Sequence, residues 1–103
     1  MAKKEKRPKR ELWTPAQVWE QIVAIIVNRF GDNKITPATV TRETPSGPEG
    51  LNLDSLDSTE LVMELDEGFD IAIPDEVVPE LRTIGDTEKL ILQMLRDADR
   101  LTK

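Results

Sequence analysis

Ser55 is the side chain best placed to carry chemistry in this 103-residue chain. It opens the stretch Asp54-Ser55-Leu56-Asp57-Ser58-Thr59-Glu60-Leu61-Val62-Met63-Glu64-Leu65-Asp66-Glu67-Gly68-Phe69. Asp54 is a natural helix cap, and Asp57, three residues on, completes a capping box. Ser55 then falls in the first helical turn. An exposed hydroxyl there lies beside backbone N–H groups without intrahelical acceptors and at the positive end of the helix dipole. A phosphate ester on that oxygen would have a seat. From spacing alone, a serine that only helps to start the helix is the simpler reading.

The same helix has two faces. Leu61, Val62, Leu65 and Phe69 recur at helical spacing and form an inward stripe. Asp57, Glu60, Glu64 and Glu67 share the opposite, wet face. Charge pattern alone makes these acids a solvated surface. No metal site is expected: the acids near Asp54 lack the spacing and the turn glycine of a calcium loop.

Composition removes most catalytic options. The chain has no Cys and no His, so thiolate chemistry, Ser-His-Asp triads and the usual general base are absent. Ser55 has only carboxylates nearby, which are poor bases at neutral pH. Nothing in the chain activates it as a nucleophile. The net charge is −6. Six Lys/Arg against Glu5 give the first ten residues +5, so the remainder carries −11. An acidic body repels nucleic acid and attracts basic protein patches, so no nucleic-acid partner is expected. Residues 1–12 are expected to be a basic, disordered arm, or a tether to an anionic surface, to nucleic acid or to the acidic body itself. No apolar run reaches the length of a membrane span, and the start lacks a signal peptide's apolar core. A cytoplasmic monomer is expected.

The elements that must position Ser55 follow from periodicity. Thr14-Pro15-Ala16-Gln17 starts a helix by cap, first-position proline and box. It runs to about Phe30 and stops at Gly31, with Trp13 expected to pack on Val18. Apolar around most of its girth, it is expected to be the central element, with Trp19 in its core. Residues 31–53 form a long connection, anchored through Ile35, Val40, Leu51 and Leu53, with one helical turn at 36–40. Ile71 and Ile73 are expected to point inward. Asp75–Leu81 forms a short helix that Pro79 limits. Thr83 and Asp86 box the last helix, expected to reach Leu101 and project into solvent, with Ile84, Thr87, Leu90, Ile91, Met94, Leu95, Ala98 and Leu101 inside. Pattern alone makes this an all-α bundle of three longer helices and one short one, with a long loop after the first.

The residues Asp54-Ser55-Leu56-Asp57, Glu60-Leu61-Val62-Met63 and Phe69-Asp70-Ile71-Ala72-Ile73-Pro74-Asp75-Glu76, at these separations, resemble a discrete acyl carrier protein of fatty-acid synthesis. The resemblance spans the second half of the chain and, more weakly, the first helix. It implies the acyl-carrier four-helix bundle over residues 13–103. It also implies 4'-phosphopantetheine on Ser55, installed by a phosphopantetheinyl transferase, with acyl chains as cargo. Asp54, Asp57, Glu60, Glu64, Glu67, Asp75 and Glu76 would meet basic patches on acyl-processing enzymes. Leu56, Thr59 and Met63 would form the apolar centre of that contact. Val62, Leu65, Phe69, Ile71 and Ile73 would wall an acyl cavity, although they serve equally as ordinary core. Four departures from the family's pattern stand out. Gly47 replaces an apolar residue, Gly50-Leu51-Asn52 replaces Asp-Leu-Gly, Gly68 replaces an acid, and the loop is longer. Two other functions compete: a specialised polyketide or similar carrier, and an acidic adaptor or inhibitor that carries no group. Asp54, where peptidyl carriers usually have glycine, argues against that branch.

Overall fold

Three short polar side chains decide where the helices begin. In the computed structural model, which describes residues 12–47 and 50–102, Thr14, Asp54 and Thr83 each close a capping box. Helix α1 spans Pro15–Phe30, α2 Ser55–Phe69 and α3 Ile84–Asp97, with a 3-10 helix at Asp75–Glu80 between the last two. No strand occurs among the described residues; the two isolated bridges join Trp13 to Leu101 and Pro45 to Thr83. The fold is the expected all-α bundle. The arm expected at 1–12 lies outside the described residues apart from Leu12, which is exposed.

The core is built from one face of each helix. Val18, Ile22, Val23 and Ile26 of α1 meet Leu61, Leu65 and Phe69 of α2 and Ile84, Ile91 and Leu95 of α3. Burying each such side chain is worth roughly 1.5–3 kcal/mol. Helix α1 packs on both partners and is the central element. Val40 and Leu51 are buried and Ile35 and Leu53 half-buried, so all four expected anchors hold the long connection. Its turn at Thr36 is present, with Val40 N–H donating to the Thr36 carbonyl at 3.2 Å. Asp32 folds the loop's start: its carboxylate accepts from Ile35 N–H (2.9 Å) and Lys34 N–H (2.7 Å). Those bonds hold it below its ordinary pKa.

The end of the chain corrects the expectation drawn for it. Helix α3 does not continue to Leu101. It stops at Asp97, and Ala98, expected inside, is exposed. Asp99 takes a left-handed φ of 62°. Arg100 N–H then donates back to the Leu95 carbonyl (2.7 Å) and Asp99 N–H to Arg96 (3.0 Å). This is a Schellman ending with Asp where glycine usually stands. The turned chain lies against Trp13: Trp13 N–H donates to Arg100 at 2.9 Å and Thr102 N–H to Trp13 at 2.8 Å. Trp13 also packs on Phe69, ring centroids 4.7 Å apart. The end is therefore zipped to the start of α1, not projected into solvent. The Arg100 guanidinium donates to the carbonyls of Phe69 (2.6 Å) and Asp70 (2.9 Å), capping the C-terminus of α2.

Candidate functional site

The start of α2 is assembled by the loop before it. Leu51 N–H donates to the Pro45 carbonyl and Leu53 N–H to the Ser46 carbonyl, both at 2.9 Å. Gly50 makes this approach possible, since a Cβ there would lie 2.1 Å from the Pro45 oxygen. Asn52, where the family has glycine, takes a left-handed φ of 59°, a conformation Asn tolerates better than most residues. Asp54 follows in an extended conformation. Its Oδ1 accepts from Asp57 N–H at 2.8 Å, and Asp57 Oδ2 accepts from Asp54 N–H at 3.3 Å. Ser55 is thus the first helical residue, and it is exposed. The N–H groups of Ser55 and Leu56 have no partner among the described residues, as befits a first turn. Among the described residues, the only hydrogen bond at Ser55 outside the helix ladder is one its carbonyl accepts from the Thr59 hydroxyl at 2.9 Å.

Ser55 stands at the edge of a groove of about 910 Å³. One wall is α2, through Ser55, Thr59, Val62 and Met63; the other is the loop at Pro45–Gly47 with Asp75, Val78, Pro79 and Leu81. No atom of the described residues lies within 4 Å of where a Cβ on Gly47 would stand. A recess of about 30 Å³ adjoins the groove and adds Leu61, Leu65 and Thr87 to the lining.

Of the five expected cavity walls, Val62 lines both spaces and Leu65 the recess, while Phe69, Ile71 and Ile73 line neither of these two spaces. Phe69 is turned to Trp13. Ile73 is buried, with its N–H held by Asp66 Oδ1 at 2.9 Å, and Ile71 is half-buried. Their places are taken by Leu53, Val78 and Leu81.

The expected partner face is divided. Leu56 and Met63 are 65% and 56% exposed, and Thr59 lies exposed between them. Asp54, Glu67, Asp75 and Glu76 are exposed as well. Asp57, Glu60 and Glu64 are half-buried and flank Arg29 from the last turn of α1. Arg29 pairs with Glu60 at 2.6 Å. That hydrogen bond, and the acids around it, raise the guanidinium pKa. The acid row is therefore not wholly solvated, and one cation of the same chain already sits against it.

A second charged cluster was not expected. Glu88 is 8% exposed and bound side-on by Arg42, whose Nε and Nη2 donate to its two carboxylate oxygens at 2.7 and 3.0 Å. The Arg42 guanidinium also lies 4.3 Å over the ring of Trp19, which is half-buried. The signal was present: Ile84, Glu88, Ile91 and Leu95 share one stripe, so an acid stands inside an apolar face. This clamp fixes the long loop to α3 and α1 and touches no part of the groove.

The bundle thus presents an exposed serine at a helix start beside a groove. Residues 49–91 match the family model of the phosphopantetheine attachment site. Over 72 residues the chain is 43% identical to the acyl carrier protein of Chlamydia muridarum (strain MoPn / Nigg); the match covers 70% of this chain and 88% of that protein. Over 71 residues it is 39% identical to the acyl carrier protein of Thermosynechococcus vestitus (strain NIES-2133 / IAM M-273 / BP-1), covering 69% and 83%. The chain belongs to the acyl carrier protein family: it is a carrier of acyl thioesters, with phosphopantetheine as its prosthetic group. No helix among the described residues is long and apolar enough to cross a membrane.

Proposed function

We propose that Ser55 is the attachment residue, modified by a phosphopantetheinyl transferase, and that the chain delivers acyl intermediates to the basic-patched enzymes of fatty-acid synthesis in the cytoplasm. The observation that carries this is the placement of Ser55: first residue of α2, exposed, and at the lip of the groove. The bound group supplies the thiol that this Cys-free chain lacks. The chain's residues supply everything else. Asp54 fixes the first turn, where Ser55 is exposed and the N–H groups of Ser55 and Leu56, without partners among the described residues, would be available to a phosphate on its hydroxyl. Leu56 and Met63 give a partner an apolar hold, and the exposed acids Asp54, Glu67, Asp75 and Glu76 steer its approach. Asp57, Glu60 and Glu64 contribute once a partner's basic groups compete with Arg29.

The test is intact mass after incubation with coenzyme A and a broad-specificity transferase. Wild type should gain one phosphopantetheine and Ser55→Ala none. A modified Ser55→Ala, or an unmodified wild type, would remove the assignment. One observation favours a second reading, a specialised carrier: no described residue fills the space beside Gly47 at the groove's loop wall. The acyl groups recovered on native protein separate the two.

A further inference from the structure

Thr87 is the one buried hydroxyl side chain left without a hydrogen-bond partner in the described interior. It is 5% exposed. Its backbone N–H belongs to the start of α3, donating to the Thr83 carbonyl at 3.3 Å, but its hydroxyl is bonded to no atom of the described residues. Burying a hydroxyl in that state is unfavourable and calls for an explanation. Thr87 lines the recess beside the groove, whose other walls include Leu61, Leu65 and Val78. Two more hydroxyls line the same recess. Ser46 is already engaged, with the Leu81 carbonyl at 3.3 Å. Ser58, half-buried on α2, has no partner for its side chain among the described residues. The recess thus offers two free hydroxyls, one from each of the facing helices, inside an otherwise apolar wall. It is continuous with the groove at Ser55 through Ser46, Leu53, Ser58, Val62, Val78 and Leu81, which line both.

We infer that this recess takes the part of a bound acyl chain that bears an oxygen, a hydroxyl or oxo group, and that Thr87, with Ser58, selects such chains over saturated ones. The inference rests on the reading of Ser55 as the attachment point. A purely hydrocarbon chain would leave the hydroxyls of Thr87 and Ser58 unpaired. An oxygenated chain of the same length restores a hydrogen bond to each group it meets. The discrimination comes from that difference, since groups left unpaired on one ligand and paired on the other separate the two.

The experiment loads the full chain, by a transferase, with octanoyl, 3-hydroxyoctanoyl and 5-hydroxyoctanoyl phosphopantetheine, and confirms each by mass. The rate of thioester cleavage by hydroxylamine is then divided into that of the same thioester free in solution, giving a protection factor. At least one hydroxylated chain should be protected about three- to ten-fold better than octanoyl, the worth of one net hydrogen bond. Thr87→Val, of similar shape, should erase that advantage, and should raise the melting temperature of the unacylated protein by removing an unpaired buried hydroxyl. Ser58→Ala is the second variant and should reduce the advantage. Equal protection of all chains on wild type, as when a resident water already serves both hydroxyls, would overturn the inference. So would an advantage that survives in both variants. A wild type that gains no acyl-phosphopantetheine mass would instead overturn the reading of Ser55, an outcome the mass check separates from the first two.

Discussion

Helices α2 and α3 begin with the same device and use it to opposite ends. Each start has a capping box, Asp54 with Asp57 and Thr83 with Asp86. At α3 the orphan donors of the first turn are all consumed by the protein. Ile84 N–H donates to the Thr44 carbonyl at 3.0 Å and Gly85 N–H to the Arg42 carbonyl at 2.8 Å. Asp86 N–H goes to the Thr83 hydroxyl at 3.1 Å. At α2 only the third donor is taken, by Asp54, and the N–H groups of Ser55 and Leu56 find no partner among the described residues. One start is closed and serves the fold. The other is open and exposed, and it is the one with a serine on it. The comparison teaches that the long loop does two jobs at once. Its carbonyls at 42 and 44 seal α3, and its later residues Pro45 and Ser46 hold the turn that presents Ser55.

The most damaging way to break this contrast is to force α3 open. A Cβ on Gly85 would lie 2.8 Å from the Arg42 carbonyl oxygen, a backbone atom that cannot swing aside. Gly85→Val should push the loop off α3 and cost roughly 1–3 kcal/mol, from strain and the lost backbone bond. In a domain of this size that lowers the melting temperature by about 4–8 °C per kcal/mol. An unchanged midpoint would mean that the seal is not a fixed feature of the fold.

A smaller effect separates the two starts by their readouts. Thr83→Ala and Asp54→Ala each remove a cap and should each cost about 1 kcal/mol in urea unfolding. Only Asp54→Ala should also slow phosphopantetheine transfer, by roughly ten-fold, because it frays the turn that aims Ser55 and deletes an exposed acid from the docking face. Equal slowing by both variants would show that transfer follows overall stability, and the division of labour between the starts would fail.

What the sequence made legible follows from the reach of each interaction. All three boxes, at Thr14, Asp54 and Thr83, were readable because donor and acceptor lie three residues apart and depend on little else. The inward stripes of α1 and α2 were readable for the same reason. Helical spacing says which residues point in, but not what they meet. Phe69 was correctly turned inward, yet its neighbour is Trp13 and not the groove. Trp13 was given Val18 as a local partner, while its backbone bonds and its aromatic partner come from the far end of the chain and from α2. The Arg42–Glu88 clamp joins residues 46 apart, beyond any local pattern except the acid inside an apolar stripe. The end of α3 was missed for a chemical reason. Glycine is the usual left-handed stop signal, but Gly31 ends α1 at a φ of −62°. The left-handed positions belong to Asn52, Asp70 and Asp99, and no described glycine adopts one.

Asn52 gives the finest test, because it sits in the open start's own turn. A non-glycine residue in the left-handed region costs up to about 1–2 kcal/mol, and Asn pays less than most. Asn52→Gly relieves that strain. It also loosens the unfolded chain, which opposes the gain by about 0.4–1 kcal/mol. The two effects nearly cancel, so the net change should stay within about 0.5 kcal/mol. The bonds that shape the turn are made by backbone atoms, Leu51 to Pro45, Asn52 to Gly47 and Leu53 to Ser46. Phosphopantetheine transfer should therefore stay within about two-fold of wild type, well inside the loss expected for Asp54→Ala. If Asn52→Gly instead slowed transfer as much as Asp54→Ala does, the aim of Ser55 would depend on the stiffness of the preceding turn and not on the cap.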